Sequence, residues 1–114
     1  MNKNDWQKEF TGSITVTDKE GIIIYMNDKA VSTFEKYGGD KLIGTNVLDC
    51  HPEPSKSKLI ELMLNKSTNV YTIEKNGIKK LIYQAPWFEN NEFSGIVELS
   101  LEIPFEMPHF IRTD

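Results

Sequence analysis

The sequence predicts an α+β domain, a five-stranded antiparallel sheet with short helices and one longer helix packed on one face. Two short β-branched runs precede a stretch with helical spacing, and three strand-like runs then fill residues 70–103. Asn76-Gly77 separates two of those runs, and Asn-Gly is a strong hairpin signal because both central positions of a type I′ turn need positive φ. A chain of 114 residues, 39% hydrophobic and 26% charged, has room for one core and no second folded domain.

Residues 1–11 read as an N-terminal cap, a short helix whose Trp6 and Phe10 need apolar cover. Ile14 and Val16 alternate with Thr15 and Thr17 in a first strand, and Ile22 to Met26, apolar throughout, reads as a strand buried on both faces. Asp18-Lys19-Glu20-Gly21 is the turn between them. Asn27 is placed to cap a helix that buries Ala30, Val31 and Phe34 and ends at Gly38-Gly39. Asp40 starts a further short turn through Leu42 and Ile43, broken by Gly44, and Val47 to Pro54 reads as irregular. Ser55 is the expected N-cap of the strongest helix, with Leu59, Ile60, Leu62, Met63 and Leu64 as a broad apolar face opposite Lys56, Lys58, Glu61 and Lys66.

Strands follow at Val70 to Glu74, Ile78 to Ala85 and Phe93 to Ile103, with Glu89 to Glu92 as a polar turn. In the last, Val97, Leu99, Leu101 and Ile103 alternate with Ile96, Glu98, Ser100 and Glu102, which predicts one dry face and one wet face. Residues 104–114 form a tail whose two prolines exclude a long helix.

A formal charge of −4 has the wrong sign for a domain that neutralises phosphates, so nucleic acid is not an expected partner. One cysteine, Cys50, forms no intrachain disulfide and no multi-thiolate zinc site, and it reads as a small buried hydrophobe in a reducing cytoplasm. Neither a signal peptide nor a run of about 20 apolar residues is present, so no membrane association is expected. No phosphate loop, nucleophile elbow or His-Glu-x-x-His pair occurs, and no enzymatic activity is expected.

Ile14-Thr15-Val16-Thr17-Asp18, Gly21 to Asn27, Ile43-Gly44 and Gly95-Ile96-Val97-Glu98 together resemble a PAS domain spanning residues 12–103. Gly44 to Pro52, with Cys50-His51-Pro52 ahead of the long helix, is similar to bacterial PAS domains found after hemerythrin-like domains, although Glu53 separates the two prolines and no such partner domain is present. The resemblance implies a non-catalytic sensory or interaction module with a pocket between the sheet and the helices. The light-sensing flavin type is excluded, because its Asn-Cys-Arg-Phe-Leu stretch is absent.

Haem b is the leading cofactor that the resemblance implies, with His51 as iron ligand and diatomic-gas or redox sensing as the function. Haem-binding PAS domains of the aerotaxis type carry their histidine in the turn before the long helix, where His51 stands, whereas residues 55–66 hold no histidine. Pro52 biases His51 away from the α region, and Asp49 is near enough to fix its tautomer. Leu48, Leu59, Met63, Leu81, Tyr83, Val97, Leu99 and Leu101 are the expected pocket walls, and they would serve equally as plain core. His109 is a candidate second ligand. The competing expectation is a ligand-free interaction module. In both cases a homodimer is expected through the outer sheet face or the termini, where Trp6, Phe10, Phe105, Met107, Phe110 and Ile111 would otherwise form exposed patches, and a stand-alone domain passes its output to a separate signalling protein.

Overall fold

The computed structural model describes residues 3–114, apart from the side chain of Cys50, so the burial expected for that thiol lies outside the described residues. Five strands, β1 (Ser13–Thr17), β2 (Ile23–Met26), β3 (Asn69–Lys75), β4 (Ile78–Glu89) and β5 (Glu92–Ile103), form one antiparallel sheet in the order β2-β1-β5-β4-β3. Helices α1 (Asp28–Thr33) and α2 (Ser55–Asn65), with 3-10 turns at Glu35–Tyr37, Gly39–Leu42 and Val47–Cys50, connect β2 to β3. The N-terminal segment forms only a 3-10 turn at Lys3–Asp5.

Asn27 ties the first elements together and is wholly buried. Its Oδ1 accepts from the amides of Ile14 (2.9 Å) and Ala30 (3.0 Å), and its Nδ2 donates to the carbonyls of Gly12 (2.8 Å) and Gln7 (2.9 Å). One side chain therefore caps α1, starts β1 and holds the N-terminal segment. Both hairpin turns carry positive φ at their central pair, Asn76-Gly77 and Asn90-Asn91, as type I′ geometry requires.

Four expectations are corrected. The apolar run ending at Met26 is an edge strand, with Ile24 47% exposed, rather than one buried on both faces. Its open side is covered in part by the loop before Val47, because Ile23 N donates to Thr45 O and Gly44 N to Ile23 O. Ser55 is the first residue of α2 and no side chain hydrogen-bonds at its Pro54 cap; the Glu53 carboxylate instead accepts from the Ser57 amide at 2.9 Å and from its hydroxyl. Of the broad face expected on α2, Leu59 and Leu62 are buried, whereas Leu64 is 75% exposed.

The fourth correction concerns the sheet. Residues in register share a face, so Thr15, Glu98 and Gln84 lie together, and Val16, Val97 and Ala85 lie on the other side. The helical layer covers the first set. Leu99, Leu101, Leu81 and Tyr83 alternate with the second set's neighbours and belong to the outer face, which is only half-buried. Strand periodicity separates two faces but does not say which one the helices occupy, and here they sit on the more polar one.

Candidate functional site

The 3-10 turn at Val47–Cys50 aims His51. Asn46 Oδ1 accepts from Leu48 N at 2.9 Å and opens the turn, and His51 leaves it in an extended conformation (φ −109°, ψ 117°), as Pro52 demands. The imidazole Nδ1 lies 2.7 Å from the Val47 carbonyl oxygen. A carbonyl only accepts, so Nδ1 carries a proton, which makes Nε2 the lone-pair nitrogen of the neutral ring. Val47, rather than the expected Asp49, fixes the tautomer.

His51 lines a cavity of about 30 Å³ between sheet and helices, together with Thr15, Thr17, Val47, Leu59, Met63, Gln84, Ile96 and Glu98. Gln84 and Glu98 are joined across β4 and β5 by a 2.7 Å bond from Nε2 to Oε1, and Asn69 Nδ2 donates to Gln84 Oε1 at 3.1 Å. Burial, and secondarily the charge of Glu98, pushes the Tyr71 phenol above its ordinary pKa. Thr17 Oγ1 accepts from Ile96 N at 3.2 Å, but Thr15 Oγ1 is buried without a partner among the described residues. The residues lining the cavity thus bring an imidazole, a carboxylate and a threonine hydroxyl together, a set suited to a small ligand rich in hydrogen-bond donors.

Of the expected wall residues, His51, Leu59 and Met63 line this cavity, and Leu48, Leu81, Tyr83, Val97, Leu99 and Leu101 do not. The polar lining residues Thr15, Thr17, Gln84 and Glu98 were missed. Their available signal was a row of polar side chains on the strand faces opposite the leucines. His109 lies in the exposed tail. Trp87 stands opposite Gly95 and donates its indole proton to Thr17 O at 2.9 Å, so it braces the β1–β5 junction.

A ligating imidazole suits haem iron, since the Val47 contact orients the ring and leaves Nε2 free. The cavity does not suit the porphyrin. Its volume of about 30 Å³ holds one or two waters, whereas even small-molecule pockets run from about 300 Å³ upward. Besides His51, four of its lining side chains are polar. The residues present fit a histidine ligand and not the macrocycle. Among the described residues, no three His, Cys, Asp or Glu side chains converge to hold a metal ion, and no helix is long and apolar enough to cross a membrane.

This architecture is the PAS fold, as solved structures with similar coordinates make plain. A C-terminal domain from Streptococcus mutans matches with a TM-score of 0.69 at 22% identity, covering 87% of this chain and 81% of that one. The PAS domain of BvgS from Bordetella pertussis gives 0.63 at 19% identity over 88% and 82% of the two chains. The Aer2 receptor of Vibrio cholerae, described as a dual PAS-heme oxygen sensor, gives 0.61 at 16% identity over 82% and 96%. No protein-family model matches the sequence. No curated protein matches it by similarity either.

Proposed function

We propose that residues 12–103 act as a cytoplasmic, non-catalytic PAS sensory unit that binds a ligand of a few heavy atoms, rich in hydrogen-bond donors, in the cavity beside His51. The observation that carries this reading is the buried hydroxyl of Thr15, without a partner among the described residues, on a residue that lines one cavity with His51 and Glu98. A buried polar group left unpaired is costly, and a donor-bearing ligand would relieve it. Haem b on His51, with gas or redox sensing, requires the helical layer to separate widely from the sheet; the small polar ligand requires no such opening.

The test is a paired titration. Methylammonium and formamide are expected to shift the amide resonances of Thr15, Gln84 and Glu98 saturably, and Thr15→Val is expected to abolish that response. Haemin is expected to give no Soret band that depends on His51. A saturable Soret band lost in His51→Ala, or the absence of any shift at the three amides, overturns the reading.

The ligand-free interaction module is favoured by a separate observation. The outer sheet face exposes Val70 (49%) and Tyr83 (39%) beside half-buried Leu81, Val97, Leu99 and Leu101. That reading expects a homodimer through this face, so a light-scattering mass near 13.1 kDa at micromolar concentration counts against it.

A further inference from the structure

The N-terminal segment Lys3–Phe10 passes beside edge strand β2 and the start of α1. It is fastened there by Asn27 Nδ2 to Gln7 O (2.9 Å), by Asp28 N to Lys8 O (3.0 Å), and by Lys8 Nζ to both Asp28 carboxylate oxygens (3.1 and 3.2 Å). Segment and strand do not close completely. A second cavity, of about 210 Å³, remains between them, lined by Asp5, Gln7, Lys8, Tyr25, Met26 and Asp28. It shares no lining residue with the His51 cavity.

Two residues of that lining carry buried polar atoms, Gln7 Oε1 and Tyr25 Oη, that have no hydrogen-bond partner among the described residues. Buried groups of this kind are normally satisfied, and two such groups on residues that line one cavity mark a place for a molecule with donors. Gln7 Oε1 can only accept, and a phenol oxygen has a lone pair to offer. The charge around them is negative on balance, because Lys8 is matched by Asp28 and Asp5 is left over. The phenol of Tyr25 registers this field: burial first, then the charge of Asp28 and also that of Asp5, raise its pKa, against an opposing contribution from Lys8. Met26 adds an apolar wall.

We propose that this cavity binds a small organic cation, an ammonium or guanidinium group on a short apolar stem, whose N–H donors reach Gln7 Oε1, Tyr25 Oη and the Asp5 carboxylate. The stem lies against Met26. A volume of about 210 Å³ suits an alkylamine, exceeding the ~30 Å³ share of one water and falling short of a drug-sized pocket. Such a ligand touches both the segment and the sheet, so it clamps Lys3–Phe10 in place and couples a soluble cation to the position of the N-terminal segment. Trp6, 63% exposed and edge-on to Phe10 with centroids 5.8 Å apart, lies on that segment and reports its position.

The experiment titrates the full chain with propylammonium and methylguanidinium, reading Trp6 emission in a Trp87→Phe background together with amide shifts. Tetramethylammonium, which has charge but no N–H donor, and propionate serve as controls. Saturable binding is expected for the first two only, with shifts at Gln7, Tyr25 and Asp28. Tyr25→Phe and Asp5→Asn should each weaken it by about tenfold or more while amide dispersion stays native, and Thr15→Val in the other cavity should leave it unchanged. Three results overturn the proposal: no saturable binding of either donor cation, equal binding of tetramethylammonium, or undiminished binding by both variants.

Discussion

Replacing Thr15 by valine should stabilise the protein, and the same change two residues along should destabilise it. Thr15 and Thr17 lie on one strand and one face, 9% and 5% exposed, and both line the His51 cavity. Their hydroxyls differ in one respect: Thr17 Oγ1 accepts from the buried Ile96 amide at 3.2 Å, whereas Thr15 Oγ1 has no partner among the described residues. Burying an unpaired hydroxyl costs roughly 1–3 kcal/mol in proteins. Water in a cavity of about 30 Å³ recovers part of that, so Thr15→Val should gain about 1 kcal/mol and raise Tm by roughly 4 °C. Thr17→Val removes the acceptor and leaves the Ile96 amide unpaired, a loss of about 1–3 kcal/mol. Strand propensity affects both variants alike and cancels in the comparison. Urea unfolding should therefore separate their midpoints by roughly 1–2 M at the slopes usual for small domains. If Thr15→Val loses stability as Thr17→Val does, the Thr15 hydroxyl is already satisfied and the argument for a ligand-seeking cavity fails.

Three further outcomes follow from named contacts. Asn27→Ala removes five hydrogen bonds, the longest 3.5 Å to Phe10 O, around a wholly buried side chain and should cost about 3–5 kcal/mol in denaturant unfolding; a loss under about 1 kcal/mol would contradict its organising role. Gly95 has φ +147°, and a Cβ there would lie 1.9 Å from the Thr17 carbonyl oxygen, so Gly95→Ala should part β5 from β1 and cost more than about 3 kcal/mol, read as lost amide protection at Ile96. The Ser57 hydroxyl and amide hold the Glu53 carboxyl below its usual pKa. A depressed folded-state pKa means that this stabilisation is complete above the unfolded value and vanishes as pH falls through the folded one, so acid should loosen the first turn of α2 as followed by the Ser57 amide, and Glu53→Gln should remove that pH dependence.

What the sequence disclosed depends on how local the governing physics is. Asn76-Gly77 demands positive φ whatever surrounds it, and Asn27, between a strand and a helical pattern, has one well-defined capping geometry. His51 was legible for a similar reason, since Pro52 alone keeps it out of the α region. The faces of the sheet were not. Alternation along β5 places Leu99 and Leu101 opposite Glu98 and Ser100, but which row meets the helices is decided by chain crossings far away in sequence. The strip of residues turned inward mixes Thr15, Gln84 and Glu98 with Ile82 and Ile96, and its polar members were absent from the expected lining of the cavity. The edge position of β2 was hidden in the same way, because the loop through Gly44 and Thr45 supplies cover that mimics a buried strand. Asp49 was expected to hold the imidazole on grounds of proximity, yet the 3-10 turn carries the Val47 carbonyl back to Nδ1.

The central claim is that Val47 holds His51, a lining residue of the cavity, with Nδ1 protonated and Nε2 left as the lone-pair nitrogen, and the ring nitrogens report this directly. With two histidines in the chain, ¹⁵N-labelled imidazole spectra can be assigned by His109→Gln and recorded under mildly alkaline conditions, where an ordinary imidazole is neutral. The account predicts a protonated Nδ1 and a pyridine-like Nε2 for His51, the latter moving when a donor ligand is added. A protonated Nε2, or the averaged signal of a freely exchanging ring, would contradict it.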